Sequence, residues 1–189
     1  MRVVVIGGGI TGTLSAWELL RAGHQVHLLE AEHLGAGSSS RTAAGIRQQF
    51  STPGTVRGMR YSVRSYRELG ERIGASPIVQ NGYLFLYDDP TDWQDATDRV
   101  AMQHDVGLVE VEALAGQALF DRFPWVGRTH VGGTYCPTDG FLLPHLVYNE
   151  VGRLLEEGGA TVWKRAPVTG AEVVGGRMVA VQTPKGRVV

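Results

Sequence analysis

Residues 2–12, Arg2-Val-Val-Val-Ile-Gly-Gly-Gly-Ile-Thr-Gly12, decide how this chain begins to fold, and Glu30 follows eighteen residues after Gly12. Consecutive β-branched residues without a polar interruption predict a short strand buried on both faces, as in the centre of a parallel sheet. Gly7, Gly9 and Gly12 stand at the G-x-G-x-x-G spacing, which permits a tight turn, a close approach of a pyrophosphate and close packing of the next helix. The stretch therefore predicts a βαβ unit that binds a dinucleotide.

The rest of that unit is readable from the next residues. Apolar residues at helical spacing predict a helix from about Ile10 to Ala22, with Gly23 as its left-handed end. Residues 25–29 predict a second strand that ends on Glu30, where the fold places a carboxylate that accepts hydrogen bonds from the adenosine ribose. The same negative charge would repel a 2′-phosphate, so NADP is disfavoured. On this motif alone, FAD and NAD both remain open.

Bulk properties exclude several classes of function. A chain of 189 residues with 43% hydrophobic content can bury a core, and its net charge of −1 gives no electrostatic case for nucleic acid or a membrane surface. The apolar start is too short for a membrane span or a signal peptide, so we expect a cytoplasmic protein. One cysteine, Cys136, excludes an internal disulfide, and the six histidines have no metal-ligand spacing, so no metal site is expected.

Residues 31–45 are small and polar, with almost nothing to bury. Such a composition is typical of a flexible linker, but we interpret it as a cofactor loop. Ser38–Thr42 offer hydroxyls, backbone amides and the Arg41 guanidinium, which are the groups that bind pyrophosphate oxygens. Ala43, Ala44 and Gly45 carry no bulk that would keep a flat ring away.

With the glycine motif, Glu30, the loop 35–50 and the later Asp139-Gly140, the sequence resembles the flavin-dependent D-amino-acid, glycine, sarcosine and dimethylglycine oxidases and dehydrogenases. Among these enzymes, the sequence most resembles the β-subunit type of sarcosine oxidase, and the resemblance extends over the whole chain. The resemblance implies FAD, with Arg47 and then Gln48 as the catalytic candidates beside the isoalloxazine ring. Together, motif and resemblance assign the cofactor contacts to Gly7, Gly9, Ile10, Thr11, Gly12, Glu30, Ala31, Ser38, Ser39, Arg41, Thr42, Ala44, Gly45, Ile46 and Val168.

The remaining chain predicts an α/β fold: a Rossmann-like FAD-binding domain with a parallel sheet and a β-meander, interrupted by part of a mixed α+β substrate domain. We expect residues 1–74 and 141–189 in the first domain and residues 75–140 in the second. The predicted helices cover 55–73, a segment capped at Thr91, 114–123 and a segment that starts at Pro144. The predicted strands form a hairpin over 78–87 that turns at Asn81-Gly82, single strands at 109–111, 131–135 and 161–165, and a meander over 173–189.

The resemblance implies an FAD-dependent oxidoreductase that oxidises the C–N bond of an amino acid or an N-methylated amino acid by hydride transfer to flavin. Its partner would be a small-molecule amine or amino acid. Because elements that the family places next do not follow Val189, we expect an N-terminal fragment or one half of a split enzyme, which needs its C-terminal half or a partner subunit. Two alternatives remain: a non-catalytic FAD-binding module, and an NAD-dependent dehydrogenase.

Overall fold

The computed structural model describes all residues from Met1 to Val189, and they form two compact units. Residues Met1–Ala43 and Leu143–Val189 make the first unit, and Ala44–Leu142 make the second. The predicted domain boundary at residue 74 differs from this division. The segment 44–74 lies with the second unit because Gly45-Ile46 pairs with Gly140-Phe141 in a sheet, and Ile46 packs against Val63 and Ile78.

The secondary structure is mixed. The helices are α1 (Ile10–Arg21), α2 (Pro53–Ile73), α3 (Pro90–Asp105), α4 (Gln117–Arg122) and α5 (Pro144–Glu157). The strands are β1 (Arg2–Ile6), β2 (Gln25–Leu29), β3 (Gly45–Ile46), β4 (Ile78–Val79), β5 (Tyr83–Tyr87), β6 (Glu112–Ala115), β7 (Gly132–Cys136), β8 (Gly140–Leu142), β9 (Thr161–Trp163), β10 (Gly170–Val174), β11 (Arg177–Thr183) and β12 (Gly186–Val188). No helix combines the length and the apolar character that a bilayer crossing needs.

The first unit has the predicted parallel sheet, in the order β1-β2-β9. Val26, Leu28 and Leu29 of β2 are fully buried, and α1 packs beside α5. The prediction of a central position for β1 is wrong for this sheet. Strand β2 has a parallel neighbour on each side, whereas β1 lies at an edge and leaves Ile6 56% exposed.

Glycines end α1 and turn the meander where the sequence predicted. Gly23 has φ +82°, and its N–H donates to the Leu20 carbonyl, as a left-handed helix end requires. Strands β10, β11 and β12 form an antiparallel sheet in that order, with both Gly175 and Gly176 at positive φ in the first turn. The predicted meander is thereby confirmed.

The second unit contains two antiparallel sheets, β3-β8-β4 and β5-β7-β6. The predicted hairpin over 78–87 is wrong, because β4 pairs with β8 while β5 pairs with β7. Gly82 still provides a positive φ of +81°, but its N–H donates to the Asp139 carbonyl. The chain from β7 to β8 thus supplies the pairing partner of both strands, and this long-range pairing overrides the local turn signal.

Helix α2 confirms its prediction, with Thr52 as N-cap, a first-turn proline and Gly74 as a left-handed end. Two nearby predictions need correction. The cap of α3 is Asp89 rather than Thr91, because the Asp89 carboxylate accepts from the Thr91 and Asp92 amides. The strand expected at 109–111 lies at 112–115, since Val111 is instead buried in a core cluster with Val56.

Candidate functional site

The turn between β1 and α1 has the close packing that the glycine spacing predicted. Gly7 adopts φ +102°, and its N–H donates to the Leu29 carbonyl of β2 at 2.8 Å. A Cβ atom on Gly12 would lie 1.8 Å from the Gly7 carbonyl oxygen. Because no side chain fits at that distance, only glycine allows α1 to start this close to the strand.

The Glu30 carboxylate lies at the mouth of this turn. Its Oε2 accepts from the Gly8 N–H at 2.6 Å, and its Oε1 accepts from the Glu32 N–H at 2.8 Å. The Glu30 residue is only 9% exposed. Each carboxylate oxygen has a further lone pair, so the fixed group can still accept hydrogen bonds from sugar hydroxyls.

The first turn of α1 is open to an anion. Its N-cap is Gly9, which has no side chain to satisfy the terminal amides, and the first turn carries no acidic residue. The Ser39 hydroxyl accepts from the Ile10 N–H at 3.0 Å. A Cβ on Gly9 would lie 2.9 Å from that hydroxyl oxygen. The helix dipole favours a phosphate at this position.

One cavity, which we call the cradle, has a volume of about 450 Å³ and is lined by the glycine turn, Glu30 and Ser39. That volume lies within the range of about 300–1,000 Å³ typical of small-molecule sites. Its lining residues are Gly7, Gly9, Glu30, Ala31, Glu32, Ala36, Gly37, Ser38, Ser39 and Arg41. The sequence missed Glu32, Ala36 and Gly37, although the run of small residues after Glu30 could have indicated the last two. The donor set and the space fit the adenosine diphosphate portion of a dinucleotide such as FAD.

The other predicted cofactor contacts do not line the cradle. Ile10, Thr11 and Gly12 form the first turn of α1, and Thr42 lies in an exposed bend. Ala44, Gly45 and Ile46 belong to the second unit, where the Ile46 side chain is buried against Val63 and Ile78. Val168 packs against Leu29, Val181 and Val188. Contacts of these residues with a cofactor stay predictions.

Gln48 is held in place by a buried carboxylate. Asp139 is fully buried and its Oδ1 accepts from the Gln48 backbone N–H at 2.8 Å and from the Gln48 Nε2 at 3.2 Å. The Gln49 Nε2 donates to Asp139 Oδ2 at 3.2 Å. Desolvation raises the pKa of Asp139, although these donors oppose the rise. Gln48 therefore fixes the loop that presents Arg47, a link that the sequence did not reveal.

Arg47 presents an unpaired positive charge. Its guanidinium carbon lies 4.6 Å from the centre of the Phe50 ring and 5.6 Å from that of Phe85, distances typical of cation–π contacts. The side chain forms no ion pair with a carboxylate of the chain. Arg47 lines a second cavity whose walls all come from the second unit.

Cys136, the one cysteine of the chain, is buried. Burial raises the pKa of the Cys136 thiol to about 11, which favours the inert thiol over a thiolate. No group of three or more histidine, cysteine or acidic side chains is placed to hold a metal ion.

Several known proteins are similar to this chain. The chain is 27% identical over 194 residues to the mitochondrial pyruvate dehydrogenase phosphatase regulatory subunit of Mus musculus, which covers 99% of this chain and 22% of that protein. It is 26% identical over 146 residues to glycine oxidase of Geobacillus kaustophilus (strain HTA426), covering 73% of this chain and 39% of that one. The structure of L-proline dehydrogenase from P. horikoshii superposes with a TM-score of 0.90 at 30% identity, over 99% of this chain and 50% of that chain.

The chain therefore spans half or less of the length of these relatives. Residues 2–189 match the family model described as DAO, FAD dependent oxidoreductase. That match covers nearly the whole chain. The chain belongs to the DAO family of FAD-dependent oxidoreductases, whose cofactor is FAD.

Proposed function

We propose that the protein oxidises the C–N bond of an amino acid or an N-methylated amino acid by hydride transfer. The observation that carries this proposal is the Glu30 carboxylate, fixed at the mouth of the glycine turn by the Gly8 and Glu32 amides. This arrangement supports a dinucleotide, and the family match favours FAD over NAD. The similar glycine oxidase and L-proline dehydrogenase are named for amino-acid substrates, which supports this substrate class.

The residues of the cradle would bind FAD by its adenosine diphosphate end. Glu30 would accept hydrogen bonds from the ribose hydroxyls, and the first turn of α1 would donate its amides to the pyrophosphate. The Arg41 guanidinium lines the same cavity and supplies a positive charge for a phosphate oxygen. FAD, when bound, supplies the hydride acceptor for the carbon next to the amine nitrogen.

Arg47 is the residue that we propose to act on the reacting groups. Its guanidinium has aromatic neighbours and no carboxylate partner, so its charge remains available to an anion. Gln48 would act through its bonds to Asp139 and Thr138, which hold the Arg47 backbone in position. Gln48 is therefore a positioning residue in this proposal.

The test uses the full-length protein, loaded with FAD and mixed without oxygen with glycine, N-methylglycine or L-proline. We expect loss of the oxidised-flavin absorbance with at least one of them. The Arg47→Gln variant should bind FAD normally and be reduced more slowly, whereas the surface variant Arg72→Gln should behave as the wild type. Bound flavin that none of these amino acids reduces would contradict the proposal.

One observation favours a second candidate, a non-catalytic FAD-binding module that works with another chain. The similarity to a regulatory subunit extends over 99% of this chain. On this alternative the protein binds FAD and stays oxidised with every amino acid, and reduction appears only when a co-purifying partner subunit or the C-terminal half is supplied. Reduction by the protein alone would refute the second candidate.

A further inference from the structure

A cavity of the second unit lies beside the exposed face of α2 and is rich in arginine. Its walls include Arg57, Arg60, Arg64 and Arg67, and we call it the arginine cavity. These four residues lie three or four positions apart, so they share one face of the helix along about 15 Å. An arginine side chain does not lose its proton in a protein, so this face is a permanent row of cations.

The positive charge of the arginine cavity is not cancelled by the chain. Glu110 is the single acidic residue of its walls. Arg57, Arg60 and Arg67 form no ion pair with a carboxylate of the chain. Arg64 lies 3.8 Å from the Glu68 carboxylate, but both side chains are mostly exposed, and such a pair contributes little. The walls therefore carry an excess of positive charge.

Two of the guanidiniums are held in place by uncharged acceptors. Arg60 Nη1 donates to the Val106 carbonyl at 2.9 Å, and a Cβ on the neighbouring Gly107 would lie 2.6 Å from that nitrogen. Arg67 donates through Nε and Nη2 to Gln80 Oε1, at 3.3 Å and 2.7 Å. Because these acceptors are uncharged, both side chains are ordered without being neutralised. Such ordering reduces the entropy that a bound ligand would cost.

The inner wall of the arginine cavity adds a buried amide and a hydroxyl. Gln48 is only 3% exposed, and its Nε2 donates to the Thr138 hydroxyl at 2.9 Å. Both residues line the cavity together with Tyr61. The Gln48 backbone N–H donates to buried Asp139, so this wall is fixed from within the unit. The arginines thus border a concave site with an ordered inner wall.

The size of the arginine cavity limits the ligand. Its volume of about 280 Å³ corresponds to about nine water molecules at the volume that water occupies in the liquid. That space holds a phosphate or a diphosphate ion and is too small for a dinucleotide. The walls share no residue with the cradle or with the cavity that contains Arg47.

A phosphoryl group suits a row of arginines better than a carboxylate does. It presents three acceptor oxygens and about two negative charges at neutral pH, so several guanidiniums can share it. A carboxylate presents two oxygens, which the paired N–H groups of a single guanidinium occupy. Four arginines on one wall therefore indicate a phosphoryl ligand.

We propose that the arginine cavity binds a phosphate or diphosphate group, with its oxygens on the guanidiniums of α2. This inference goes beyond the proposed function. Gln48 and Thr138 also take part in that function, where they position Arg47, but the four arginines do not.

Calorimetric titration of the full-length protein tests this inference. The protein is first saturated with FAD, which fills the cradle, and sodium chloride holds the ionic strength constant. We expect inorganic diphosphate to bind saturably and at least about tenfold more tightly than malonate, a dicarboxylate of similar size. Absence of saturable diphosphate binding, or equal binding of malonate, would overturn the inference.

Arginine variants locate the site. Arg57→Gln and Arg64→Gln should each weaken diphosphate binding by about tenfold or more. Arg57 has no ion pair to lose, so Arg57→Gln should keep the melting temperature of the wild type. Two controls should bind as the wild type does: Arg72→Gln, on the same helix outside the cavity, and Arg99→Gln, in the wall of the cavity that contains Arg47. Unchanged binding by both Arg57→Gln and Arg64→Gln would refute the assignment.

A second titration identifies what carries the phosphoryl group. Tighter binding of glycerol 3-phosphate than of inorganic phosphate would support the site and indicate a small phosphate ester, whereas weaker binding would support it and indicate the free ion. Calorimetry detects either ligand without any flavin reaction. Diphosphate binding by a protein whose flavin no amino acid reduces would therefore overturn the proposed oxidation and leave the arginine cavity standing as a phosphoryl site.

Discussion

Replacing Gly12 by alanine should destabilise the protein, although alanine is the better helix former. Within a helix, alanine is favoured over glycine by about 1 kcal/mol. At Gly12, however, the added Cβ would lie 1.8 Å from the Gly7 carbonyl oxygen and 3.0 Å from the Gly7 carbonyl carbon. These are backbone atoms that cannot rotate away, so α1 must move off β1.

Overpacking of this kind costs about 1–3 kcal/mol, and sometimes more. Since the clash is with backbone, we place the cost at the upper end, and the net loss after the helix-propensity gain is about 2 kcal/mol. Movement of α1 also displaces Gly9, which caps the helix and lines the cradle. We therefore expect weaker FAD binding as well as a lower free energy of unfolding.

Gly58→Ala is the matched control. Gly58 lies on the exposed side of α2, and a Cβ there would meet nothing within 4 Å. The same substitution should therefore stabilise the protein by about 1 kcal/mol. Denaturant unfolding of both variants, followed by circular dichroism, measures the two effects. A Gly12→Ala protein as stable as Gly58→Ala would refute the close packing of α1 on the glycine turn.

Three further predictions concern buried or capping groups. Asp139→Asn should lower the free energy of unfolding by about 2 kcal/mol, because an amide has only one acceptor oxygen and its NH2 group would face a donor of either Gln48 or Gln49. Burial raises the pKa of Asp139, so the folded state binds the carboxyl proton more tightly than the unfolded state does. The difference in unfolding free energy between the wild type and Asp139→Asn should therefore shrink as pH rises from the unfolded-state pKa through the folded-state pKa of Asp139. A difference that grows with pH would contradict this. Cys136 should not react with a disulfide reagent at pH 8 until the protein unfolds, because burial raises the pKa of its thiol to about 11. Rapid labelling of the folded protein would contradict this, since it would show that the thiol is accessible. Asp89→Ala should lower the melting temperature at neutral pH and have little effect in acid. Backbone hydrogen bonds lower the pKa of the Asp89 carboxyl, so the charged cap of α3 is lost only when pH falls through that lowered pKa. An equal effect at both pH values would refute the charged cap.

The sequence predicted the parts of the fold that local chemistry determines. The glycine turn, the acid at position 30, the two ends of α2 and the Gly175-Gly176 turn each depend on residues that lie next to one another in the chain. The sequence-based prediction failed where a strand pairs with a distant segment of the chain. Tyr83–Tyr87 has every local feature of a hairpin strand, yet its partner is β7, almost fifty residues further along.

The candidate site divides in the same way. Most cradle residues were readable because they belong to one βα unit and the loop that follows it, whereas Glu32, Ala36 and Gly37 were missed. The part of the Arg47 cavity wall that Arg99 and Gln103 of α3 form was not readable, because polar residues at those positions of a helix look like an ordinary exposed face. Only the packing of α3 beside the loop 47–51 and strand β5 brings them into a cavity with Arg47.

We propose that Glu30 holds the adenosine ribose of FAD at the mouth of the glycine turn. A crystal structure of the protein grown with FAD measures this directly. We expect a ribose hydroxyl within hydrogen-bond distance of a Glu30 carboxylate oxygen, with the pyrophosphate at the first turn of α1. A ribose bound elsewhere, with Glu30 contacting only the Gly8 and Glu32 amides, would contradict it.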